Sequence, residues 1–213
     1  MTTGAAAAPV IHFLDRQTPP HVSTLILLAG LSAMGMNIFL PSLPDMAEHF
    51  GTSYAVMQLS VPLYLGFSAL MQLFIGPLSD NIGRRPVMIG GLVLFILATL
   101  GCVLAPTAAI FLAFRAAQAV ITTGMVLSRA VLRDLYTQDQ AASKIGYVTM
   151  GMALVPMVAP AIGGTIEQVA SWQMTFWVVI VIAAGLLVLV IRDMGETARK
   201  SQTTLLGQFR EYP

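Results

Sequence analysis

Long apolar stretches, separated by short polar or helix-breaking segments, fill almost the whole chain. Six of them stand out, near Val22–Leu40, Val56–Leu78, Pro86–Leu104, Ala108–Leu127, Ile145–Ile166 and Trp172–Ile191. Each approaches or exceeds the roughly 20 residues that an α-helix needs to cross the hydrocarbon of a bilayer. Membrane-spanning strands would show roughly 10-residue stretches of alternating polarity, and runs such as Ile89–Leu100 do not alternate. The pattern predicts an all-α membrane protein, a bundle of six transmembrane helices occupying residues 21–192. Residues 1–20 have no basic cluster at the start and are interrupted by Asp15, Arg16, Pro19 and Pro20, so they read as a tail and not as a signal peptide.

Composition agrees and narrows the function classes. Of 213 residues, 56% are hydrophobic and only 10% charged, with mean hydropathy +0.79. Soluble domains carry about 25% charged residues, so much of this surface must meet lipid. A soluble enzyme, a nucleic-acid binder and a disordered linker are excluded for the chain as a whole. A net charge of +1 points to no polyanionic partner. Cys102 is the single cysteine and lies in an apolar run, and His12, His21 and His49 fall in different loops, so no metal site is expected. No nucleophile triad, phosphate loop or dinucleotide fingerprint occurs in its required context, so neither a catalytic residue nor a cofactor is expected.

The basic residues set the orientation. Arg16, Arg84, Arg85, Arg129, Arg133, Lys144, Arg192, Arg199, Lys200 and Arg210, ten of the eleven, fall on one side of the six-span arrangement and none on the other. The opposite side carries Asp45, Glu48 and Glu167. Both termini are therefore expected in the cytoplasm. The eleventh basic residue, Arg115, lies several residues inside the fourth run. A charge at that depth costs at least about 2.5 kcal/mol by insertion scales. Such residues face a bundle interior or a water-filled cavity; the alternative is snorkelling towards an interface.

A shift of 87 residues places Gly76 on Gly163 and Asp80 on Glu167, relating the second run to the fifth. This is faint support for an inverted repeat of three helices plus three. Between the second and third runs the chain reads Gly76-Pro77-Leu78-Ser79-Asp80-Asn81-Ile82-Gly83-Arg84-Arg85-Pro86. Gly76 and Gly83 permit close helix approach and a left-handed turn, and Pro86 suits the first turn of a helix. Asp80 stands a few residues from the Arg84–Arg85 pair, which reads as a charge cluster or simply as a tight turn with positive-inside arginines. In the fifth run Gly151, Val155, Ala159 and Gly163 share one face, and Pro156 and Pro160 remove backbone donors, predicting a kink.

The loop string resembles the signature of the major facilitator superfamily, G-x-L-x-D-R-x-G-R-R/K, with Asn81 where the family often has Arg. Leu40-Pro41-Ser42-Leu43-Pro44 resembles the L-P-x-L-P element of Bcr/CflA-type drug:proton antiporters. Arg115 with Gln118 is similar to the fourth-helix R-x-x-Q, and Arg129 with Arg133-Asp134 to its extension. Ala159-Pro160-Ala161-Ile162-Gly163-Gly164 resembles the antiporter motif G-P-x-x-G-G. The resemblance covers about Leu25 to Glu211 and implies the N-terminal six-helix half of a secondary transporter, built as a 3+3 inverted repeat in a bacterial inner membrane. It implies multidrug efflux by alternating access between two halves. Asn37, Arg115 and Gln118 would line the substrate and coupling cavity. Gly76, Asp80, Gly83, Arg84 and Arg85 would form a cytoplasmic latch, and Pro156, Pro160, Gly163 and Gly164 the fifth-helix antiporter motif. The implied partners are the lipid bilayer, a small lipophilic substrate, the proton, and a second six-helix half or a second copy; no nucleic acid is implied.

One departure bears on coupling. The family commonly has Asp four residues before the first proline of L-P-x-L-P, where this chain has Asn37, and no Asp or Glu lies within any apolar run. Phe39, Tyr64 and Phe67 are candidates for an apolar cavity wall or for ordinary packing, as are the methionines. Residues 193–213 resemble the start of a central cytoplasmic linker, cut short before a seventh span. The alternative reading is therefore a membrane protein that does not transport and acts only by pairing with another half.

Overall fold

Every regular element among residues 11–197, the part of the chain that the computed structural model describes, is helical. Residues 1–10 of the expected tail and 198–213 of the expected linker lie outside the described residues. Among the described residues, six helical segments are long and apolar enough to cross a membrane. Span one, Val22–His49, comprises α1 (Val22–Asn37), a 3-10 turn (Leu40–Ser42) and α2 (Leu43–His49). Span two joins α3 (Tyr54–Gln58) to α4 (Ser60–Ile82), and span three is α5 (Arg84–Val103). Span four joins α6 (Ala108–Ala117) through a 3-10 segment (Gln118–Ile121) to α7 (Thr122–Leu135). Spans five and six are α8 (Gln138–Val169) and α9 (Trp172–Asp193).

The helices outrun their apolar cores. Arg129, Arg133 and Lys144, expected in a loop, stand on α7 and α8. Hydrocarbon thickness limits the apolar run, whereas backbone hydrogen bonding carries the helix on into the interface. The breaks within spans one and four have local causes. Pro41 and Pro44 lack a backbone donor and occupy the first turns of the 3-10 turn and α2. At Gln118–Ile121 the span tightens, and the Ile121 carbonyl accepts the Ser32 hydroxyl of span one at 2.8 Å. Pro156 and Pro160 are absorbed within α8 without ending it.

Burial follows the expected repeat. In the most apolar window of each span, 50% and 56% of residues are buried in spans one and four, 22% and 11% in spans two and five, and 39% and 33% in spans three and six. First matches fourth, second fifth and third sixth, which places spans one and four at the centre. The residues related by the shift also fall at opposite ends of the bundle. Asp80 pairs with Arg84 at the arginine-bearing end (2.8 Å), and Glu167 accepts the Ser42 hydroxyl at the other (2.9 Å). That reversal is what an inverted repeat requires.

Lipid gives helices no hydrophobic gain from associating, so close packing and hydrogen bonds must hold them. Span five lays its small-residue face on span one. Gly151 faces Ile26, Val155 faces Gly30, and a Cβ at Gly163 would overlap the Ile38 carbonyl oxygen. Spans one and four meet where a Cβ at Gly124 would come within 3.1 Å of the Leu28 carbonyl, and Ser128 donates to the Leu25 carbonyl at 3.1 Å. The end opposite the arginines closes with Phe50, Phe111, Trp172 and Phe176 packed edge to face or tilted.

At the arginine-bearing end the chain returns to its start. Asp193, the last residue of α9, is fully buried. Its Oδ1 accepts from the Leu14 backbone N–H (2.8 Å), and its Oδ2 from the His21 N–H (3.0 Å) and the Thr24 hydroxyl (2.6 Å). One carboxylate thus satisfies donors that the beginning of α1 would leave unpaired.

Two substitutions test this packing by reversible unfolding in detergent. Gly163→Ala sets a methyl group against rigid backbone and is expected to cost about 1–3 kcal/mol. Gly185→Ala, where a Cβ meets nothing within 4 Å, should stay within about 0.5 kcal/mol of wild type. Asp193→Ala strands three donors and is expected to cost about 1–3 kcal/mol or more; an unchanged unfolding midpoint would refute the clamp.

Candidate functional site

Arg115 lies in the last turn of α6, three residues before Gln118 opens the tightened 3-10 stretch, and the i, i+3 spacing sets the two side chains on one face. The Arg115 side chain is completely buried. Its Nη1 donates to Gln118 Oε1 at 2.6 Å and its Nη2 to the Met36 carbonyl of span one at 3.5 Å. Gln118 Nε2 donates to Thr99 Oγ1 of span three at 2.8 Å, and Thr99 donates on to the Phe95 carbonyl at 2.6 Å. The guanidinium carbon lies 4.0 Å from the Phe39 ring centroid and 4.7 Å from that of Tyr64. Tyr64 donates to the Ser32 carbonyl at 3.3 Å, which ties span two to span one.

The guanidinium has no carboxylate partner among the described residues, and its Nε is buried without a hydrogen bond. Two aromatic faces, an amide oxygen and a carbonyl stand in for the missing anion. A desolvated cation–π contact contributes about 2 kcal/mol. The arrangement is a fixed positive charge between aromatic walls, able to attract negative charge or an electron-rich ring.

The expected trio is only partly assembled. Arg115 and Gln118 are bonded directly. Asn37 follows the carbonyl that Arg115 contacts, but its amide donates to Ala33 of its own helix at 2.7 Å. Phe39 and Tyr64, named as wall candidates, flank the charge, whereas Phe67 is exposed. Thr99 was not among the expected site residues; its signal was a hydroxyl inside the otherwise apolar third run. Gly163 and Gly164 of span five pack on Ile38 and Pro41, next to Asn37. Pro156 is exposed and Pro160 half-buried on the same helix.

A second cluster occupies the arginine-bearing end. Gly83 takes φ +113°, a conformation open to glycine, and starts α5. Arg84 is buried and gathers three spans: its Nη1 donates to Ser79 Oγ (2.6 Å), its Nη2 pairs with Asp80 (2.8 Å), and its Nε bonds Asp134 on span four (3.2 Å). The Glu196 carboxylate, past the end of span six, accepts from the Arg84 and Arg85 backbone N–H groups at 2.8 and 3.3 Å. A carboxylate there complements the positive end of the α5 dipole. Arg85 turns outward and donates to the Ile191 carbonyl at 3.1 Å. Asp80 therefore serves Arg84 and not the pair. Gly76 has open space around its Cβ position within this bundle. Ser79 and Glu196 had no visible signal, since their partners depend on how the helix ends converge.

With this geometry in place, similarity to known proteins is informative. The family model for the Major Facilitator Superfamily matches residues 25–210. Multidrug resistance protein D of Escherichia coli is 34% identical over 174 residues, 81% of this chain and 44% of that protein. The chloramphenicol resistance protein of Pseudomonas aeruginosa is 34% identical over 159 residues, 72% of this chain and 38% of that one. The chain thus spans less than half the length of these curated relatives. The crystal structure of the human organic anion transporter MFSD10 (TETRAN) shares the fold, with a TM-score of 0.71 at 21% identity over 86% of this chain and 50% of that one. The protein is a multi-pass helical membrane protein and belongs to the major facilitator superfamily.

Proposed function

We propose that the chain acts as the N-terminal half of an alternating-access exporter of small lipophilic compounds in a bacterial inner membrane, with both termini cytoplasmic. The observation that carries this reading is the fully buried Arg115, held by Gln118, Phe39 and Tyr64 without a carboxylate. A bundle has no packing reason to retain such a charge. In the assembled transporter this site lies behind the wall of a cavity near the bilayer midplane, with Phe39 and Tyr64 over the guanidinium, and a rocking motion of two halves would uncover it. Asn37 lies beside it, and Gln118 holds the guanidinium in place.

Spans two and five are the least buried of the six. Leu63, Phe67, Leu70 and Phe74 form an exposed row on span two, and Met150, Leu154 and Met157 one on span five. We assign these faces, with the uncrowded Gly76, to a second six-helix half or a second copy of the chain. The Arg84 cluster then works as a latch at the cytoplasmic mouth, and Pro156, Pro160, Gly163 and Gly164 set how span five leans on span one. Asn37 carries no titratable proton, so the acid for proton exchange belongs to the other half. The names of the bacterial relatives, which refer to multidrug and chloramphenicol resistance, support a drug-like substrate.

Reconstitution into proteoliposomes with an imposed pH gradient tests this reading. Efflux of a lipophilic fluorescent substrate is expected from the chain joined by a second half, and Arg115→Ala should reduce it to the level of empty liposomes at equal incorporation. Normal efflux by that variant would overturn the assignment. Topology is checked separately, because Cys102 is buried and leaves the surface free for introduced cysteines. In right-side-out spheroplasts an impermeant maleimide should label Gln168→Cys at once and Ser143→Cys only after permeabilisation; the reverse order would invert the orientation.

A further inference from the structure

Beside the Arg84 cluster, and sharing Arg85 and Glu196 with it, a hollow of about 630 Å³ opens where the segment preceding span one passes the start of span three. Arg16, Gln17 and Arg85 form its walls, and Pro86, Ile89 and Gly90 its floor. The two guanidinium groups are uncommitted in different ways. Arg16 is exposed and has no hydrogen-bond or ion-pair partner among the described residues. Arg85 reaches only the Ile191 carbonyl, and its Nε is buried without a partner. Two carboxylates lie nearby. Glu196 borders the hollow but directs both oxygens at the Arg84 and Arg85 backbone N–H groups. Asp15 accepts from the Gln17 N–H at 2.9 Å. Both carboxylates accept from backbone N–H groups, so the two guanidinium groups are the donors turned to the hollow, and guanidinium groups fit phosphate oxygens in paired hydrogen bonds.

The hollow also continues in one direction. Gly90, Leu94 and Leu97 share a face of α5 at i, i+4 and i+7, and Leu94 and Leu97 are each 56% exposed. From Gly90 to Leu97 the helix rises about 10 Å, roughly two thirds of the hydrocarbon depth of one leaflet. Gly90 has nothing within 4 Å of its Cβ position, which leaves the foot of this track open. A hollow with two guanidinium donors at the interface, followed by an apolar track, has the shape and polarity that a phosphate-bearing amphiphile requires.

We propose that this hollow is a binding site for an anionic phospholipid, whose phosphate is held by Arg16 and Arg85 and whose acyl chain runs along Gly90, Leu94 and Leu97. The bound lipid pins the segment before span one against span three, beside the Asp193 clamp. Its leaflet, the cytoplasmic one, rests on the orientation proposed above; the contact itself does not.

Native mass spectrometry of the purified chain, titrated with phosphatidylglycerol or phosphatidylcholine in detergent, tests the proposal independently of topology. The wild type is expected to retain one phosphatidylglycerol at a lipid concentration about tenfold below that needed for phosphatidylcholine, a 1.4 kcal/mol preference. Arg16→Gln should weaken that preference and Arg16→Gln/Arg85→Gln abolish it, while Arg133→Gln, elsewhere on the same surface, leaves it intact. The Arg16 side chain has no hydrogen-bond or ion-pair partner among the described residues, so the single variant remains informative should the double variant misfold. Equal retention of the two lipids by wild type, or an unchanged preference in Arg16→Gln, would overturn the site. Displacement of the lipid by millimolar inorganic phosphate would likewise overturn it in favour of a free-anion site.

Discussion

A guanidinium with no carboxylate partner among the described residues lies at the centre of this bundle, and its burial constrains what the surrounding spans must supply. Arg115 is fully buried, and four of the six spans contribute to its surroundings: span one through Met36 and Phe39, span two through Tyr64, span three through Thr99, and span four through Gln118. The tightening of span four at Gln118–Ile121 serves two ends at once. It begins at Gln118, which accepts from the guanidinium, and ends at Ile121, whose carbonyl accepts from Ser32, so the central pair of spans is joined at the level of the charge.

Around that centre the fold spends its small residues and hydroxyls on contacts within the half. Gly124 and Ser128 bring span four against span one, and Gly151 and Gly163 do the same for span five. At the arginine-bearing end, Asp193 and Glu196 take up backbone donors at the starts of α1 and α5. The sixth span thus closes on the first and third, tying the exit of the bundle to the Arg84 cluster. Spans two and five are left with apolar outer faces, and they are the pair that the repeat relates.

The number, order and type of the spans were legible because hydrophobicity and span length are properties of the local chain. The repeat was legible only faintly, through Gly76–Gly163 and Asp80–Glu167, yet the burial of the spans reproduces it clearly. Arg115 stood out because a charge in an apolar run is conspicuous. Its neighbours were less visible: Thr99 and the Met36 carbonyl join the site through packing between distant segments, and hydroxyls and carbonyls occur everywhere in such a chain. Asn37 shows the converse, since its position agreed with the motif but its amide is satisfied within its own helix. Glu196 and Asp193 carried no signal in the sequence, and only the convergence of helix ends reveals what they hold.

If Arg115 is retained for transport and not for folding, removing the charge should not harm the bundle. Replacing a buried ionic group by well-packed apolar residues is commonly neutral or stabilising. The double variant Arg115→Met/Gln118→Leu removes the guanidinium and the amide that serves it, and leaves Thr99 bonded to the Phe95 carbonyl. Its melting temperature in detergent is the decisive measurement. A value equal to or above that of the wild type is expected; a drop of several degrees would show that the charge holds the bundle together and would contradict its assignment to function.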